Sequence, residues 1–353
     1  MSLKKGDKDI SLLKKIPVSL ATKDITDNGT YKASDDGLDG YSEVNVATSG
    51  VDINDYFNKK IDGRSYSYSA GSWVESIKNL PLLEFNGTNA NYLFYNYKGE
   101  SIDLSKVDFS NSTNMSDTFY GCSNISNFNF INKKTGENVK ADSLFSWCSS
   151  LKEIPDIDYS EMVTMNNAFS NTSLSNINIE FPKVTSIGGA FSYCQELISV
   201  EYLNLPVCEG AYGLFRGCSK LEEVKVLNIP KATSISQLFF ECVYLKSIPA
   251  IIADDVVDVH YVAHASASLT NVGGFLNLGK AYSTSADENY YSYTLNLQAG
   301  SLTHDSLMNV INGLYDIATK GVKAQQLELG SINLAELTAE EIAIATNKGW
   351  SVS

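Results

Sequence analysis

The sequence predicts an α+β repeat solenoid preceded by a small antiparallel β module. The main observation is a repeated motif with six copies, five of which read Phe-x-x-Cys and one Phe-x-x-Thr, with Phe-to-Phe steps of 26, 24, 22, 24 and 24 residues. A fixed period in this range is typical of solenoids, in which each repeat is one supersecondary unit. Apolar residues at constant offsets from the motif, and Asn-Gly and Asp-Gly turn pairs upstream of it, support the two parts of the prediction.

The motif residues are expected to form the structural core of the repeats. The third copy has Thr172 in place of the cysteine. A Leu-x-x-Val/Ile stretch after each motif predicts a short strand, and the run into the next motif predicts a turn or short helix. One unit cannot bury its own apolar face, so neighbouring units must stack. The predicted core comprises Phe119, Cys122, Phe145, Cys148, Phe169, Phe191, Cys194, Phe215, Cys218, Phe239 and Cys242.

Stretches such as Val184-Thr-Ser-Ile187-Gly-Gly-Ala190-Phe191-Ser-Tyr-Cys194-Gln-Glu-Leu197 resemble the BspA-like leucine-rich repeat family. The resemblance covers roughly residues 80–250. It implies a leucine-rich-repeat-like solenoid of the BspA type and a role in surface recognition on microbes or viruses. It does not name a ligand.

Four segments are expected. Residues 1–50 form an N-terminal attachment segment and β module, and residues 51–80 a linker and entry cap. Residues 81–253 hold BspA-like repeats of about 24 residues, and residues 254–353 hold C-terminal strand–helix leucine-rich-like repeats and a cap. In the last segment, the sequence predicts a helix from an N-cap at Thr303 to a stop at Gly321. A second helix is predicted with a Thr338–Glu341 capping box.

Both ends of the chain resemble proteins of bacteriophage tails. The stretch from Asn28-Gly-Thr-Tyr31 to Gly40-Tyr41-Ser-Glu-Val44 is similar to a short module of tail and baseplate proteins. Ser306–Tyr315 and Ile342–Trp350 resemble the C-terminal ends of tail-associated repeat proteins. The resemblance implies that the N-terminal segment attaches to other virion tail proteins. Further copies of the same chain are another candidate partner.

The charge and hydropathy of the chain exclude some classes of binding partner. The net charge of −14 and the pI of about 4.7 argue against nucleic acid and anionic membranes. The absence of a run of about 18 apolar residues argues against a membrane span. The first residues lack the apolar core of a secretory signal peptide. Either the chain folds in a cytoplasm or a signal has been removed.

The sequence gives little support for catalysis or cofactor binding. It contains no nucleophile elbow, phosphate loop or dinucleotide fingerprint. The protein is therefore expected not to be an enzyme and to need no cofactor. His260 and His264, four residues apart, are a weak candidate metal pair, and a polar edge of the solenoid is the alternative. The cysteines predict buried reduced thiols, with disulfides between adjacent repeats as the alternative.

Two sets of residues are candidates for a recognition surface. Aromatic residues lie between Phe and Cys of the motif, at Tyr120, Trp147, Tyr193 and Phe240. They either form an exposed ladder suited to sugar rings and protein anchors or pack on neighbouring repeats. The predicted strand face carries mixed charges at Lys152, Glu153, Glu222, Lys225 and Lys246.

These observations predict a non-enzymatic virion protein of a phage tail, as a tail fibre, baseplate or receptor-binding component. It would be assembled in the bacterial cytoplasm and would bind a host surface protein or glycan through the solenoid. The alternative is a bacterial cell-surface adhesin of the BspA-like family.

Overall fold

The computed structural model describes residues 43–45, 82–84, 87–97, 99–102, 104–105, 107–281, 294–320 and 323–353. The chain divides into two compact units, Met1–Val163 and Thr164–Ser353. In both units, the core is built from repeat coils of about 24 residues.

The first unit contains short strands. Strand β1 (Glu43–Asn45) pairs in parallel with β2 (Leu82–Glu84), and β3 (Val139–Lys140) pairs with β4 (Met162–Thr164). Apart from β1, the predicted antiparallel module lies outside the described residues, as does the whole predicted linker, residues 51–80. The antiparallel arrangement therefore stays a prediction.

Aromatic stacking orders the coils of the first unit. The rings of Phe94, Phe119 and Phe145 are nearly parallel, with centroids 5.2 and 5.3 Å apart in successive pairs. All three side chains are fully buried. Phe94 and Tyr97 thus occupy the Phe and Cys positions of an additional coil, which the sequence marks only weakly.

The second unit carries parallel strands on one side. They are β5 (Asn176–Glu180), β6 (Ser199–Asn204), β7 (Glu223–Val224), β8 (Leu227–Asn228), β9 (Ser247–Ile248), β10 (Ile251–Ile252), β11 (Asn271–Val272) and β12 (Phe275–Leu276). One sheet has the order β11-β9-β7-β6-β5, with β8 also paired to β6, and β10 pairs with β12. The predicted short strands of the repeats are confirmed.

The return segment of each coil is a turn with a regular alternation. Every second backbone N–H donates a hydrogen bond to a carbonyl of the next coil; for example, the Phe191 N–H donates to the Leu214 carbonyl at 3.0 Å. The intervening groups bond locally, as from Ala190 to Ile187 at 3.1 Å. Residues two before and two after the Phe have positive φ, as at Gly189. This pattern satisfies the backbone without a helix.

The Cys position of the motif has a hydrogen-bonding role. Cys218 Sγ donates to the carbonyl of Phe191 in the preceding coil at 3.0 Å. A later coil places Ser266 there, and its Oγ donates to the Phe239 carbonyl at 2.8 Å. All six cysteines are free and buried. From the coil of Cys122 to that of Ser266, the position therefore holds a small side chain that carries a hydrogen-bond donor.

The C-terminal part forms longer strand–helix units. Its elements are β13 (Thr294–Asn296), α1 (His304–Gly313), β14 (Gln325–Glu328), α2 (Gly330–Leu334), α3 (Ala339–Asn347) and β15 (Trp350–Val352). The strands form a parallel sheet in the order β13-β14-β15.

Both predicted helix caps are confirmed, but one predicted end is wrong. The Thr303 side chain caps α1, and Thr338 and Glu341 form a capping box on α3. Helix α1 ends at Gly313 rather than continuing towards Gly321. The chain leaves the helix there because Leu314 forms a parallel bridge with Leu278 of the preceding coil. Among the described helices, none is long and apolar enough to cross a membrane.

Candidate recognition surface

Within each unit, the turn segments before and through each Phe-x-x-Cys motif form a surface that we call the turn face of that unit. Trp147 and Tyr193 lie there two residues after the Phe, with exposed fractions of 52% and 37%. Tyr120 follows its Phe directly and stacks on Tyr95, with ring centroids 4.9 Å apart. Phe240, in the same position of its coil, is half-buried and stacks on His264 at 5.5 Å. The four predicted aromatic residues therefore divide into two exposed and two packed side chains.

The two exposed aromatic residues lie on unfavourable backbone. Trp147 has φ = 61° and Tyr193 has φ = 57°. Left-handed backbone costs a residue with a Cβ about 1 kcal/mol, and a bulky side chain there is an outlier. Two other coils place Gly121 and Gly217 in this position. The coil imposes this conformation, so an exposed aromatic side chain in this position adds backbone strain while burying little surface.

Tyr193 borders an open cavity of about 440 Å³ in the second unit, which we call the groove. Its rim includes a second exposed ring, Tyr212, with an exposed fraction of 45%. Glycines supply much of the remaining wall, so backbone is accessible there. The lining consists of Asn166, Asn167, Ser186, Gly188, Gly189, Ser192, Tyr193, Gly210, Tyr212, Gly213 and Arg216.

Arg216 is the only charged residue of the lining. Its guanidinium carbon lies 5.8 Å from the centroid of the Tyr193 ring and 5.1 Å from that of Phe240. The Nε atom is shielded from solvent and has no hydrogen-bond partner within the described part of the chain. Aromatic contacts thus hold the cation in place without neutralising it.

The strand face has a different electrostatic character. Lys246 pairs with Glu222 at 2.6 Å, and Lys225 pairs with Glu201 at 2.7 Å. The hydrogen bond and charge of Glu201 raise the pKa of Lys225 above its ordinary value. In the second unit, the predicted charged residues therefore pair between neighbouring coils instead of presenting unpaired charge.

Lys152 and Glu153, the remaining predicted charges, are exposed residues of the first unit. The structure does not bring them into the groove, which is lined entirely by residues of the second unit.

The two histidines contact aromatic rings. His260 lies 3.6 Å from Tyr261, and Tyr261 lies 4.9 Å from His264, measured between ring centroids. Across the described residues, no group of three or more His, Cys, Asp or Glu side chains is placed to hold a metal ion. The pair therefore belongs to an aromatic cluster that also includes Phe240.

Comparison with known proteins agrees with the coil architecture. A family model described as "BspA type Leucine rich repeat region (6 copies)" matches residues 69–155, 116–246 and 162–272. The chain belongs to the BspA-type leucine-rich repeat family. No curated protein matches the sequence at a significant level.

Two solved structures are similar to this BspA-type protein. A leucine-rich repeat protein from Bacteroides ovatus is 15% identical, with a TM-score of 0.34 and coverage of 89% of this chain and 76% of that one. A leucine rich cell surface protein from Faecalibacterium prausnitzii is 16% identical, with a TM-score of 0.21 and coverage of 59% and 81%.

Sequence reasoning found Tyr193 but missed Tyr212, Arg216 and the glycines of the groove. The coil period held a usable signal: Tyr212 and Arg216 lie 24 residues after Gly188 and Ser192. Comparing equivalent positions coil by coil would have placed all four in one patch of the turn face.

Proposed function

We propose that this protein is a non-enzymatic recognition protein whose turn face binds a component of a cell surface. The observation that carries the proposal is the pair of exposed, bulky aromatic residues on left-handed backbone, Trp147 and Tyr193. Large aromatic side chains are the commonest anchors of binding interfaces. The family match supports a binding role because it is to a repeat region rather than to a catalytic domain.

Of the two predicted settings, a bacterial cell-surface adhesin agrees better with the family match, since BspA-type repeats fill much of the chain. The phage-tail setting depends on the resemblance of the chain ends, and the comparisons give it no support. The proposed adhesin would carry its ligand-binding surface on stacked coils, which provide extended surfaces without an enclosed active site.

Binding of the labelled protein to a panel of epithelial and bacterial cells tests the function. We expect saturable binding that Tyr193→Gly reduces strongly, because glycine removes the ring and suits the positive φ. Tyr244→Ala is the matched control, since Tyr244 is 59% exposed and does not line the groove. Failure of every cell type to bind, or equal binding by Tyr193→Gly, would contradict the proposal.

Antibody labelling tests separately whether the protein is found on bacterial cells or on phage particles. An antibody against the repeats should label intact cells of the organism that encodes the protein. Labelling of phage particles in electron micrographs, with unlabelled cells, would instead support the tail component.

A further inference from the structure

We infer that the groove binds a pyranose sugar that carries a carboxylate, an inference that rests on the proposed recognition function. The groove combines one cation that has no ion-pair partner among the described residues, two exposed aromatic rings and a polar, glycine-rich wall. Each of these features matches one part of an acidic sugar.

The charge of the groove is opposite to that of the protein. The chain has 41 acidic and 27 basic residues, yet the lining includes Arg216 and neither Asp nor Glu. The described residues offer the Arg216 guanidinium no carboxylate within ion-pair distance. A planar guanidinium binds carboxylates through paired, charge-assisted hydrogen bonds. An anionic group on the ligand would supply this missing partner.

The aromatic rings favour a sugar as the carrier of that carboxylate. Tyr193 and Tyr212 are both exposed at the groove and present apolar ring surface together with a hydroxyl group. Such rings suit a ligand with an apolar face and a polar edge. The cavity of about 440 Å³ lies within the range of small-molecule sites, which is roughly 300–1,000 Å³.

Polar groups of the wall can bind the sugar hydroxyls. Ser186 Oγ already donates to Asn166 Oδ1 at 2.8 Å, which leaves its oxygen lone pairs as acceptors. Asn167 projects from left-handed backbone beside Gly189. A Cβ on Gly189 would lie 2.6 Å from Asn167 Oδ1, so glycine preserves space for this amide.

Arg216 is held in position for this contact. The Tyr193 ring lies over Gly217, where a Cβ would approach Tyr193 Cδ1 to 2.5 Å. The guanidinium in turn contacts the Tyr193 and Phe240 rings. A cation restrained in this way loses less side-chain entropy on binding than a freely moving one.

A saturation-transfer NMR titration with a matched pair of probes tests the inference. Methyl β-glucuronide and methyl β-glucoside differ only at C6, which is a carboxylate in the first and a hydroxymethyl group in the second, and N-acetylneuraminate is a second acidic sugar. We expect the wild-type protein to bind at least one acidic sugar about tenfold or more tightly than the glucoside. Arg216→Met should remove this preference, and Tyr193→Gly should weaken binding of acidic and neutral sugars alike.

The control variant is Lys220→Met, which removes an exposed cation that pairs with Glu196 outside the groove lining. It changes the net charge by the same amount as Arg216→Met and should retain the preference. Equal affinities for glucuronide and glucoside, or a preference that Arg216→Met leaves intact, overturns carboxylate recognition.

Failure of the sugar inference can be separated from failure of the proposed function. If neither acidic sugar binds while cell binding still depends on Tyr193, the sugar inference is overturned and the recognition function stands, with an acidic protein segment as the ligand.

Discussion

Phe191→Ala should be severely destabilising because the ring lies in the middle of a buried aromatic stack. The Phe191 ring is fully buried between Phe169 and Phe215, with centroids 5.4 and 5.8 Å away. Truncation of a buried Phe costs about 3–5 kcal/mol, and two lost stacking contacts place this substitution in the upper part of that range. The loss has no local compensation because both neighbours are fixed by their own coils.

Cys194→Ala is the matched control in the same coil. It removes a thiol whose Sγ lies 3.2 Å from the Phe169 carbonyl and 3.2 Å from Thr172 Oγ1. The expected cost is about 1 kcal/mol, since a neutral hydrogen bond contributes roughly that amount. Guanidinium denaturation followed by circular dichroism measures both variants. A Phe191→Ala cost near that of Cys194→Ala would refute the stacked core as the main source of stability.

Three further substitutions or treatments test other parts of the structure. Burial raises the pKa of the Asp117 carboxyl from 3.8 to about 6. Because the folded state binds this proton more tightly than the unfolded state, protonation of Asp117 stabilises the fold fully below pH 3.8, and this stabilisation is lost as the pH rises through 6. Asp117→Asn removes the buried charge and should therefore raise the unfolding free energy at pH 7 by about 1 kcal/mol, after allowance for partial exposure. A difference in melting temperature between the variant and the wild type that does not change with pH would contradict this. Gly217→Ala should cost about 1–3 kcal/mol and weaken ligand binding, because the new Cβ meets Tyr193 on left-handed backbone; unchanged melting and binding would show that the ring moves aside freely. Burial raises the pKa of Cys218 well above its ordinary range and that of Cys208 to about 11, so thiol reagents should react only after unfolding and reducing agents should leave the melting temperature unchanged. A large fall on reduction would indicate disulfides and an oxidising compartment.

The buried core could be predicted from the sequence because it repeats with the coil. Phe119 and Phe215 recur in equivalent positions, and packing tolerates few alternatives there. The coil around Ala263 and Ser266 lacked the motif, although Ser266 makes the same hydrogen bond as the cysteines. Residue identity changes from Cys to Ser in this coil, whereas the hydrogen-bond donor is retained.

The turn face was harder to predict because its backbone is not set by one residue type. The position two residues after the motif Phe has left-handed backbone and differs in residue type from coil to coil. It holds Trp147, Asn171, Tyr193, Gly217 and Glu241 in successive coils. Inter-coil hydrogen bonds impose this conformation, so local propensity does not reveal it. The groove was missed for a related reason: its residues come from three consecutive coils and meet only after stacking.

The joint measurement of stability and binding for Tyr193→Gly tests the central claim most directly. The account predicts an unfolding free energy within about 1 kcal/mol of the wild type, because relief of backbone strain offsets the lost contacts of a partly exposed ring. The same sample should lose most of its cell binding. Retained binding together with a loss of about 3 kcal/mol or more, as expected for a buried aromatic residue, would show that Tyr193 is a packing residue and contradict the account.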